Sequence, residues 1–408
     1  MATTQEQNER LTQIGPGTFM GGLLRRYWHP VGVSLELDEN PVKAVRVLGE
    51  DLTLYRDRSG TYGLVGQKCL HRGVALARGI PLDCGLRCPY HGWTYDATGQ
   101  CIEQPYEDRV NPEANYKSRI KITGYPVQEL GGMIWAYLGP LPAPLLPRWD
   151  LLVEPDLDRE ANVFPLPVNW LQCMDNSVDP VHFEFLHGQF GNYELEKQGK
   201  PAAMFPAKHL QIAFDVYKYG IMKRRLLEGE DPETSDDWTT GHPLIFPLTL
   251  AQGSKGAASF QFRLPVDDTH TVQTFYRTAK RKPGAEAKPF KMTVERLFDD
   301  PNVIVPGDKI PNQDFIAWVA QGPISDRPME HLTAIDTGVI LYHKLLLENA
   351  KKAEDGQDPM GVIRDSAENE PWIEIPREDH ALAAFHINRE FEDRSFNFGE
   401  KKKELATP

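Results

Sequence analysis

The stretch CPYHGW, residues 88–93, places a cysteine three residues before a histidine, between a proline and a glycine. A second pair lies upstream, where Cys69 and His71 form C-L-H and are followed by R-G. The complete pattern is C-x-H-x16-C-x2-H, and both halves lie in segments rich in turn residues. Two thiolates and two imidazoles can hold tetrahedral zinc, or a [2Fe–2S] cluster with cysteines on one iron and histidines on the other.

The composition bounds the class of protein. The 408 residues are 40% hydrophobic, which is enough for two or three domains with sizeable cores. The formal net charge of −13 argues against binding to nucleic acid or to an anionic membrane. The polar start, MATTQEQNERLTQ, lacks the apolar core of a signal peptide, and no apolar run is long enough to cross a bilayer. Without a secretory signal, five cysteines are not a disulfide framework, so we expect a cytoplasmic protein with reduced thiols.

Turn residues and alternating apolar residues divide the chain into segments. Residues 1–26 predict an N-terminal helical segment, broken at the GPG of residues 15–17, that packs on the last domain. Residues 27–140 alternate in short segments separated by turn residues and predict an antiparallel β domain. A proline-rich connector follows, and residues 141–408 predict a second domain that mixes strands and helices.

Two helices of this second domain are predicted with some detail. Residues 169–188 predict a helix with a kink near Pro180, because proline cannot donate the interior hydrogen bond. Residues 329–356 predict a long amphipathic helix. Strand candidates lie between them, at residues 209–220 and 258–264.

The flanks of the metal motif carry a family resemblance. With HRG after the first pair and PYHGW around the second, the chain resembles the Rieske non-heme iron oxygenases. The resemblance implies an α+β fold, in which an antiparallel β Rieske [2Fe–2S] domain precedes a catalytic domain with an antiparallel sheet surrounded by helices. It also implies four cluster ligands, with the thiols on one iron and the imidazoles on the other: Cys69, Cys88, His71 and His91.

The remaining positions of the two loops refine the resemblance. Rieske domains of respiratory complexes carry an additional cysteine in each loop, and the two form a disulfide. Val74 and Tyr90 occupy those positions here, so the chain resembles the oxygenase type. We expect Cys84, Cys101 and Cys173 to be ordinary small residues without a metal.

A second histidine motif, D-x2-H-x4-H, comprises Asp179, His182 and His187. Residues five apart differ by roughly 140° around a regular helix, so a regular helix would point the two imidazoles apart. We therefore expect a local break, for which Pro180 and Gly188 are the candidates. By itself this spacing is a weak signal for a metal.

The resemblance assigns this motif to a mononuclear iron. It implies that His182, His187 and Asp314 form a 2-His-1-carboxylate triad on Fe(II), which leaves open positions for the co-substrate O2. Asp336 is the rival to Asp314, although a place near a helix turn fits it better. Asn176 is a candidate neighbour of the iron.

Asp179 receives a separate role from the resemblance. It would connect His182 to His91 of the partner subunit, with one carboxylate accepting a hydrogen bond from each imidazole. The alternative is a helix-capping aspartate before Pro180. A head-to-tail ring would bring the two metal centres of adjacent subunits together, so we expect a homotrimer.

The N-terminal stretch QNERLTQIGPGTFMGGLLRRYWHPVG resembles the branch of phthalate dioxygenases and dehydrodivanillate O-demethylases. The chain has no dinucleotide-binding fingerprint and no ferredoxin cysteine run, so the resemblance implies a separate reductase that uses NAD(P)H, with or without a ferredoxin. The favoured activity is O-demethylation of a methoxylated, lignin-derived aromatic acid. The alternatives are cis-dihydroxylation of a phthalate-type ring, a Rieske electron carrier without catalysis, and a zinc-binding interaction protein.

Basic residues for an aromatic carboxylate lie in KYGIMKRRLLEG, residues 218–229. Arg224 and Arg225 are the predicted substrate contacts, with Lys223 beside them, because guanidinium groups bind carboxylates bidentately. Alternation along a strand would direct only some of the three inward. A solvated basic cluster is the alternative.

Overall fold

The computed structural model describes residues 3–202, 207–253, 257–300 and 302–378. The predicted α+β class is confirmed, because small antiparallel sheets are followed by a large sheet with helices packed on it. None of the helices in these residues is both long and apolar enough to cross a membrane.

Short paired strands build the region between residues 28 and 137. They form three antiparallel sheets in the described chain, with the orders β1-β11-β10, β2-β3-β4-β9 and β5-β6-β7-β8. These strands are β1 (Trp28–Val33), β2 (Val42–Val47), β3 (Glu50–Arg56), β4 (Tyr62–Gly66), β5 (Ile80–Pro81), β6 (Leu86–Arg87), β7 (Thr94–Tyr95), β8 (Cys101–Glu103), β9 (Gly124–Tyr125), β10 (Val127–Leu130) and β11 (Met133–Tyr137).

Aspartates shape the two turns that the sequence marks as DRSG and DATG. Asp57 Oδ1 accepts the backbone N–H groups of Ser59 and Thr61 at 3.0 and 2.9 Å. Asp96 Oδ1 does the same for Thr98 and Gln100, at 2.9 and 3.0 Å. A side chain that bonds the backbone two residues ahead fixes the chain reversal, so each hairpin returns in a defined register.

Helices are short in the first part of the chain. They are α1 (Gln5–Thr12), α2 (Phe19–Leu24), α3 (Ser34–Glu39) and α4 (Glu107–Val110), with 3₁₀ turns at Leu76–Arg78, Pro112–Ala114 and Tyr116–Arg119. The predicted break at residues 15–17 separates α1 from α2. Asn8 of α1 donates to the backbone oxygen of Ser325 at 2.9 Å, which ties the N-terminal segment to the last domain.

A proline-rich stretch without regular structure joins β11 to the elements that begin at Asp150. The helices beyond it are α5 (Asp150–Val153), α6 (Trp170–Ser177), a π-helix (Phe183–Phe190), α7 (Gly191–Lys197), α8 (Asp236–Thr239), α9 (Ile310–Ala320) and α10 (Thr337–Glu354), with 3₁₀ turns at Arg327–Met329, Ala334–Asp336 and Ser366–Glu368. The predicted helix over 329–356 therefore begins later. Asp336 ends the preceding turn by accepting the Thr333 N–H at 2.6 Å, and α10 starts after it.

One large sheet of eight strands runs through the second half of the described chain. Its strands are β12 (Leu157–Leu166), β13 (His209–Tyr217), β14 (Gly220–Leu227), β15 (His242–Ile245), β16 (Thr249–Gly253), β17 (Ala257–Asp267), β18 (His270–Lys280) and β19 (Lys291–Val294). The order is β13-β14-β15-β16-β17-β18-β12-β19. All pairings are antiparallel except that of β12 with β19, which is parallel.

The two sides of this sheet face different neighbours because side chains alternate along each strand. On one side, Phe262 packs edge-on against Trp135 of β11, with ring centroids 5.2 Å apart. On the other side, Phe275 packs against Phe315 of α9 at 6.3 Å and shares a buried cluster with Trp318. We call this second side the helix-facing side of the sheet.

Candidate metal centres

The first centre is built from two loops with the same backbone geometry. In one, the Cys69 carbonyl accepts the N–H of Gly73 at 2.8 Å; in the other, the Cys88 carbonyl accepts that of Gly92 at 3.1 Å. Both glycines have a left-handed φ, +72° and +77°, which other L-residues adopt only at a cost. The two halves of the motif thus form a pair of matching turns.

These turns bring the four predicted cluster ligands together. The two cysteines are buried, at 2% and 3% exposure for Cys69 and Cys88. The rings of His71 and His91 lie outside them, with centroids 4.5 Å apart, and His91 is exposed to solvent. Inner thiols and outer imidazoles match the donor arrangement of a Rieske cluster.

The protein surroundings also fit a positively charged group at this centre. Burial and the neighbouring Cys69 thiol raise the pKa of Cys88, so the loops alone disfavour two thiolates. Bound metal offsets that cost, because it deprotonates the thiols that ligate it. The Tyr95 hydroxyl lies 3.4 Å from Cys69 Sγ, and Trp93 stacks on His71 at 4.7 Å. No sequence pattern singled out Tyr95, which follows the motif on β7.

The other cysteines lie outside both centres. Cys84 is exposed, Cys101 and Cys173 are buried, and the described chain contains no disulfide. Cys173 Sγ faces the backbone oxygen of Asn169 within α6.

The second centre unites three residues from two elements. The ligating atoms of His182, His187 and Asp314 all lie within 4.8 Å of one another. Nε2 of His187 is 3.3 Å from Asp314 Oδ1, and Nε2 of His182 is 3.8 Å from the same oxygen. Two imidazoles and one carboxylate on one side of an ion are the donor set of a 2-His-1-carboxylate site.

A π-helix resolves the spacing of the two histidines. Helix α6 ends at Ser177, and after a turn at Pro180 the chain forms the π-helix Phe183–Phe190. Its i→i+5 pattern brings residues five apart onto one face, so the His182 and His187 rings lie 5.1 Å apart. The predicted break occurs at Pro180, whereas Gly188 lies inside the π-helix and ends nothing.

Hydrogen bonds fix the tautomer of one histidine. Gln313 Nε2 donates to the backbone oxygen of Gly307 at 2.8 Å, so the amide oxygen of Gln313 faces the other way. That oxygen lies 2.8 Å from His187 Nδ1, which must therefore carry the proton. In the neutral ring, Nε2 of His187 then carries no proton and is free to ligate a metal beside Asp314. Gln313 was not among the predicted site residues.

The predicted neighbours Asn176 and Asp179 also lie at this centre. Asn176 Nδ2 donates to Asp314 Oδ1 at 3.3 Å. Asp179 Oδ1 accepts the Val181 N–H at 2.8 Å, and its Oδ2 lies 3.6 Å from His182 Nδ1. Burial acts to raise the pKa of Asp179, but the His182 imidazole and the Val181 amide hold it below the usual value. The structure places the rival carboxylate Asp336 at the start of α10, bonded to Thr333.

The basic residues of β14 separate according to the pleat. Arg224 points away from the helix-facing side, and its Nε donates to Asp215 at 2.7 Å. Arg225 is buried, donates to Asp237 at 2.6 Å and lies 4.4 Å above the Phe183 ring. Lys223 is also buried, at 6% exposure. The structure does not bring Arg224 to the centre, and it pairs Arg225 with a carboxylate of the protein.

The fold and the two centres define a class: a protein with a Rieske-type donor set in a β domain and a second candidate metal centre under a large sheet. Comparison with known proteins agrees with it. Residues 27–120 match the model of the Rieske [2Fe-2S] domain, and residues 285–372 match the model described as LigXa C-terminal domain like.

Two curated relatives and one solved structure resemble most of the chain. The 5,5'-dehydrodivanillate O-demethylase oxygenase subunit of Sphingobium sp. strain SYK-6 is 42% identical over 370 residues, covering 89% of this chain and 84% of that protein. The phthalate 4,5-dioxygenase oxygenase subunit of Pseudomonas putida is 28% identical, covering 88% and 89%. A solved oxygenase–ferredoxin complex of carbazole 1,9a-dioxygenase has an oxygenase chain of the same fold, with a TM-score of 0.58 at 18% identity, covering 91% and 99%.

The chain belongs to the Rieske oxygenases, and it is an oxidoreductase of the oxygenase-subunit type. The family predicted from the motif flanks is confirmed, and the Rieske domain supports a [2Fe–2S] cluster as one cofactor.

Proposed function

We propose that this chain is the terminal oxygenase of a multicomponent system that removes a methyl group from a methoxylated aromatic acid. The observation that carries the proposal is the convergence of His182, His187 and Asp314 in a chain 42% identical to an O-demethylase oxygenase subunit. The phthalate relative, at 28% identity, gives weaker support to ring dihydroxylation. A pure electron carrier would have no use for the second centre.

The proposed O-demethylation consumes O2, electrons and protons in fixed proportions. A methoxy group, O2, two electrons and two protons give a phenol, formaldehyde and water, by way of a hemiacetal of the substrate. When bound, the cluster supplies single electrons, and the mononuclear iron supplies the coordination positions at which O2 reacts. Cys69, Cys88, His71 and His91 would hold the cluster, and the triad would hold the iron.

The residues around the triad hold the ligands rather than react. Gln313 fixes the His187 tautomer through its bond to Nδ1, and Asn176 donates to Oδ1 of Asp314, the oxygen that also faces the two histidines. Asp179 orients the His182 ring from its Nδ1 edge. Such contacts keep ligand atoms directed at the ion and exclude competing orientations.

Transfer of electrons between subunits is part of the proposal. His91 is exposed on the cluster, and the side chain of Asp179 retains 27% of its accessible surface. Exposed apolar side chains flank both, Leu70 and Tyr90 beside the cluster and Phe185 beside the triad. Apolar surface around two such groups supports a head-to-tail contact, in which Asp179 meets His91 of the partner subunit, and a closed homotrimer.

A separate reductase would provide the electrons from NAD(P)H. The sequence has no dinucleotide-binding fingerprint, and the structural neighbour from carbazole 1,9a-dioxygenase is seen with a ferredoxin. A ferredoxin or a ferredoxin-like domain of the reductase would dock near the cluster histidines, of which His91 is exposed.

Product analysis tests the proposed function. The purified protein, with iron, NADH and a surrogate reductase, is offered methoxylated benzoates, dehydrodivanillate and phthalate. We expect one formaldehyde and one phenol for each NADH consumed. Asp314→Ala should keep the visible absorption of the cluster but form no product. A cis-diol from phthalate without formaldehyde from any methoxylated acid would contradict demethylation, and a colourless protein with stoichiometric zinc would contradict the cluster.

A further inference from the structure

A series of buried charged groups begins at the Arg225 side chain and leads away from the mononuclear centre. Arg225 Nε donates to Asp237 Oδ2 at 2.6 Å, and the other oxygen of Asp237 lies 3.2 Å from His242 Nε2. His242 Nδ1 lies 3.2 Å from Glu378 Oε1, which also accepts the backbone N–H of Gly253 at 3.0 Å. We call Arg225, Asp237, His242 and Glu378 the buried charge series.

The protein encloses all four members of this series. Asp237 and Glu378 have no exposed surface, and Arg225 and His242 are buried as well. Burial acts to lower the pKa of His242, but the facing carboxylates of Glu378 and Asp237 hold it above its usual value. An imidazolium and a guanidinium therefore balance the two carboxylates, so that no member is left as an uncompensated buried charge.

Stability by itself does not account for the buried charge series. Each of the four ions loses its hydration on folding, and apolar residues of similar volume often give an equally stable protein. What the series does provide is a fixed orientation for the Arg225 guanidinium. The planar guanidinium bonds the Asp237 carboxylate in a defined direction, and Asp237 is itself held by His242.

The Arg225 end of the series faces the π-helix. Its guanidinium lies 4.4 Å above the centre of the Phe183 ring, in a cation–π contact. The Phe183 ring in turn packs edge-on against the His187 ring, with centroids 5.7 Å apart, and Phe183 directly follows His182 in the chain. A single side chain thus links Arg225 to both histidines of the triad.

The first turn of the π-helix is attached to the hairpin of β13 and β14 at two places. A π-helix is rare and usually limited to one turn, and no side chain caps the N-terminus of this one. Phe183 is held by Arg225 of β14, while Oε2 of Glu184 accepts the backbone N–H of His209 on β13 at 3.0 Å. Consecutive residues of the π-helix are therefore held by neighbouring strands.

We propose that Arg225 is a positioning residue of the mononuclear centre: the buried charge series holds its guanidinium against Phe183, which keeps the π-helix in the conformation that directs His182 and His187 at one ion. This role rests on the proposed function, because it takes the triad to be an iron site. It gives Arg225 a task on the metal ligands in place of the substrate contact that the sequence predicts.

Iron affinity and the geometry of the bound iron test this role without turnover. The assembled protein keeps its cluster, and the variants are Arg225→Met, Arg225→Lys and Phe183→Leu. Phe183→Leu removes the aromatic ring but leaves the buried charges paired, so it stays informative if Arg225→Met does not fold. Arg25→Met is the matched control, because Arg25 of α2 is also a mostly buried guanidinium bonded to a carboxylate, that of Glu50 at 2.9 Å.

Two measurements are made on each variant. Iron content after dialysis against a graded chelator gives the affinity, and we expect it to fall about tenfold in Arg225→Met and Phe183→Leu, the lower end of the range for residues that orient metal ligands. The EPR signal of the ferrous centre with nitric oxide, recorded with the cluster oxidised, reports the ligand geometry and should change in both. Arg225→Lys keeps the charge without the planar guanidinium, so its affinity should lie between those of Arg225→Met and the wild-type protein.

Two results would overturn the positioning role. One is wild-type iron affinity with an unchanged EPR signal in Phe183→Leu or in folded Arg225→Met. The other is an equal loss of iron in Arg25→Met, which would show that general destabilisation is the cause. Cluster absorption and the urea unfolding midpoint show whether each variant is folded.

The proposed function has a separate outcome. If the wild-type protein binds iron at the triad and the Arg225 and Phe183 variants bind it weakly, but no methoxylated acid yields formaldehyde, demethylation falls and the positioning role stands. If the wild-type protein binds no iron at the triad, both fall together.

Discussion

At the scale of single residues, the second centre depends on a glutamine that does not touch the ion position. Gln313 holds His187 in the one tautomer that leaves Nε2 bare, because its own amide is fixed by Gly307. Side chains that orient a ligating histidine commonly change metal affinity by about 10- to 100-fold when they are removed.

Gln313→Leu should therefore lower the affinity of the mononuclear centre for iron by about 10- to 100-fold. The cluster, in the other domain, should keep its absorption. Iron content after dialysis against a graded chelator measures the affinity, and Gln321→Leu on the exposed end of α9 is the control. An unchanged affinity would mean that His187 keeps its orientation without the glutamine.

A second residue-scale prediction concerns acid stability. His29 is 2% exposed, and its Nε2 donates to the Leu24 carbonyl at 2.8 Å. Burial lowers the pKa of His29 to about 4. The unfolded chain, with a pKa of about 6.5, takes up the proton first, so stability is complete above that pH and falls as the pH drops toward 4.

This loss should amount to at most about 3 kcal/mol. In His29→Gln the urea unfolding midpoint should fall less between pH 7 and pH 5 than in the wild-type protein, since Gln can donate to Leu24 but does not titrate. His270→Gln changes an exposed histidine and should leave the wild-type pH dependence in place. Parallel pH profiles of His29→Gln and the wild-type protein would refute the assignment.

At the scale of elements, the two cluster loops look alike but differ in the space around their glycines. Gly73 and Gly92 both need a left-handed φ. A Cβ on Gly73 would meet no atom within 4 Å, whereas one on Gly92 would lie 2.9 Å from Pro105 Cγ. Substitution at Gly92 thus adds a steric contact to the backbone strain.

Gly73→Ala should cost about 1–2 kcal/mol from the strained φ, and Gly92→Ala should cost more. The iron and sulfide content of each purified variant, together with its urea midpoint, measures the difference. Gly60→Ala is the control, because Gly60 also has a left-handed φ and open space but lies in a hairpin away from the cluster. Equal urea unfolding midpoints for Gly73→Ala and Gly92→Ala would show that Pro105 moves aside without a measurable cost in stability.

The elements also show what the sequence could and could not predict. The cluster loops follow from residue order, since cysteine, histidine and glycine recur at matched positions. The spacing of His182 and His187 predicted that a regular helix would fail, but not that a π-helix would replace it, because that choice depends on packing from α7 and α9. Lys223 and Arg225 could be told from Arg224 only after the register of β14 was known.

At the scale of the whole molecule, the mononuclear centre is built from segments that lie far apart in the sequence. Asp314 comes from α9, more than a hundred residues after His187, and no local pattern links them. Gln313 is a buried polar residue whose partners, His187 and Gly307, lie outside its own helix, so its role is decided by tertiary contacts. The motif flanks predicted the family, and the chain's own fold assigned the supporting residues.

The same scale yields a last prediction, on the passage of electrons between subunits. The route proposed above joins His91 of one chain to Asp179 of another, and no hydrogen bond or ion pair joins the two residues within the described chain. Cys88→Ala removes a cluster ligand and Asp314→Ala removes a ligand of the mononuclear centre, and each protein alone should be inactive. Co-expressed with different tags and purified as mixed oligomers, they should recover about a quarter of wild-type activity. This is the share of interfaces that join an intact cluster to an intact iron centre in a closed ring.

Formaldehyde release per NADH measures the recovery, and a simple mixture of the separately purified variants is the control. Mixed oligomers without activity would place the electron route inside one chain, and a stable monomer by light scattering would remove the ring itself.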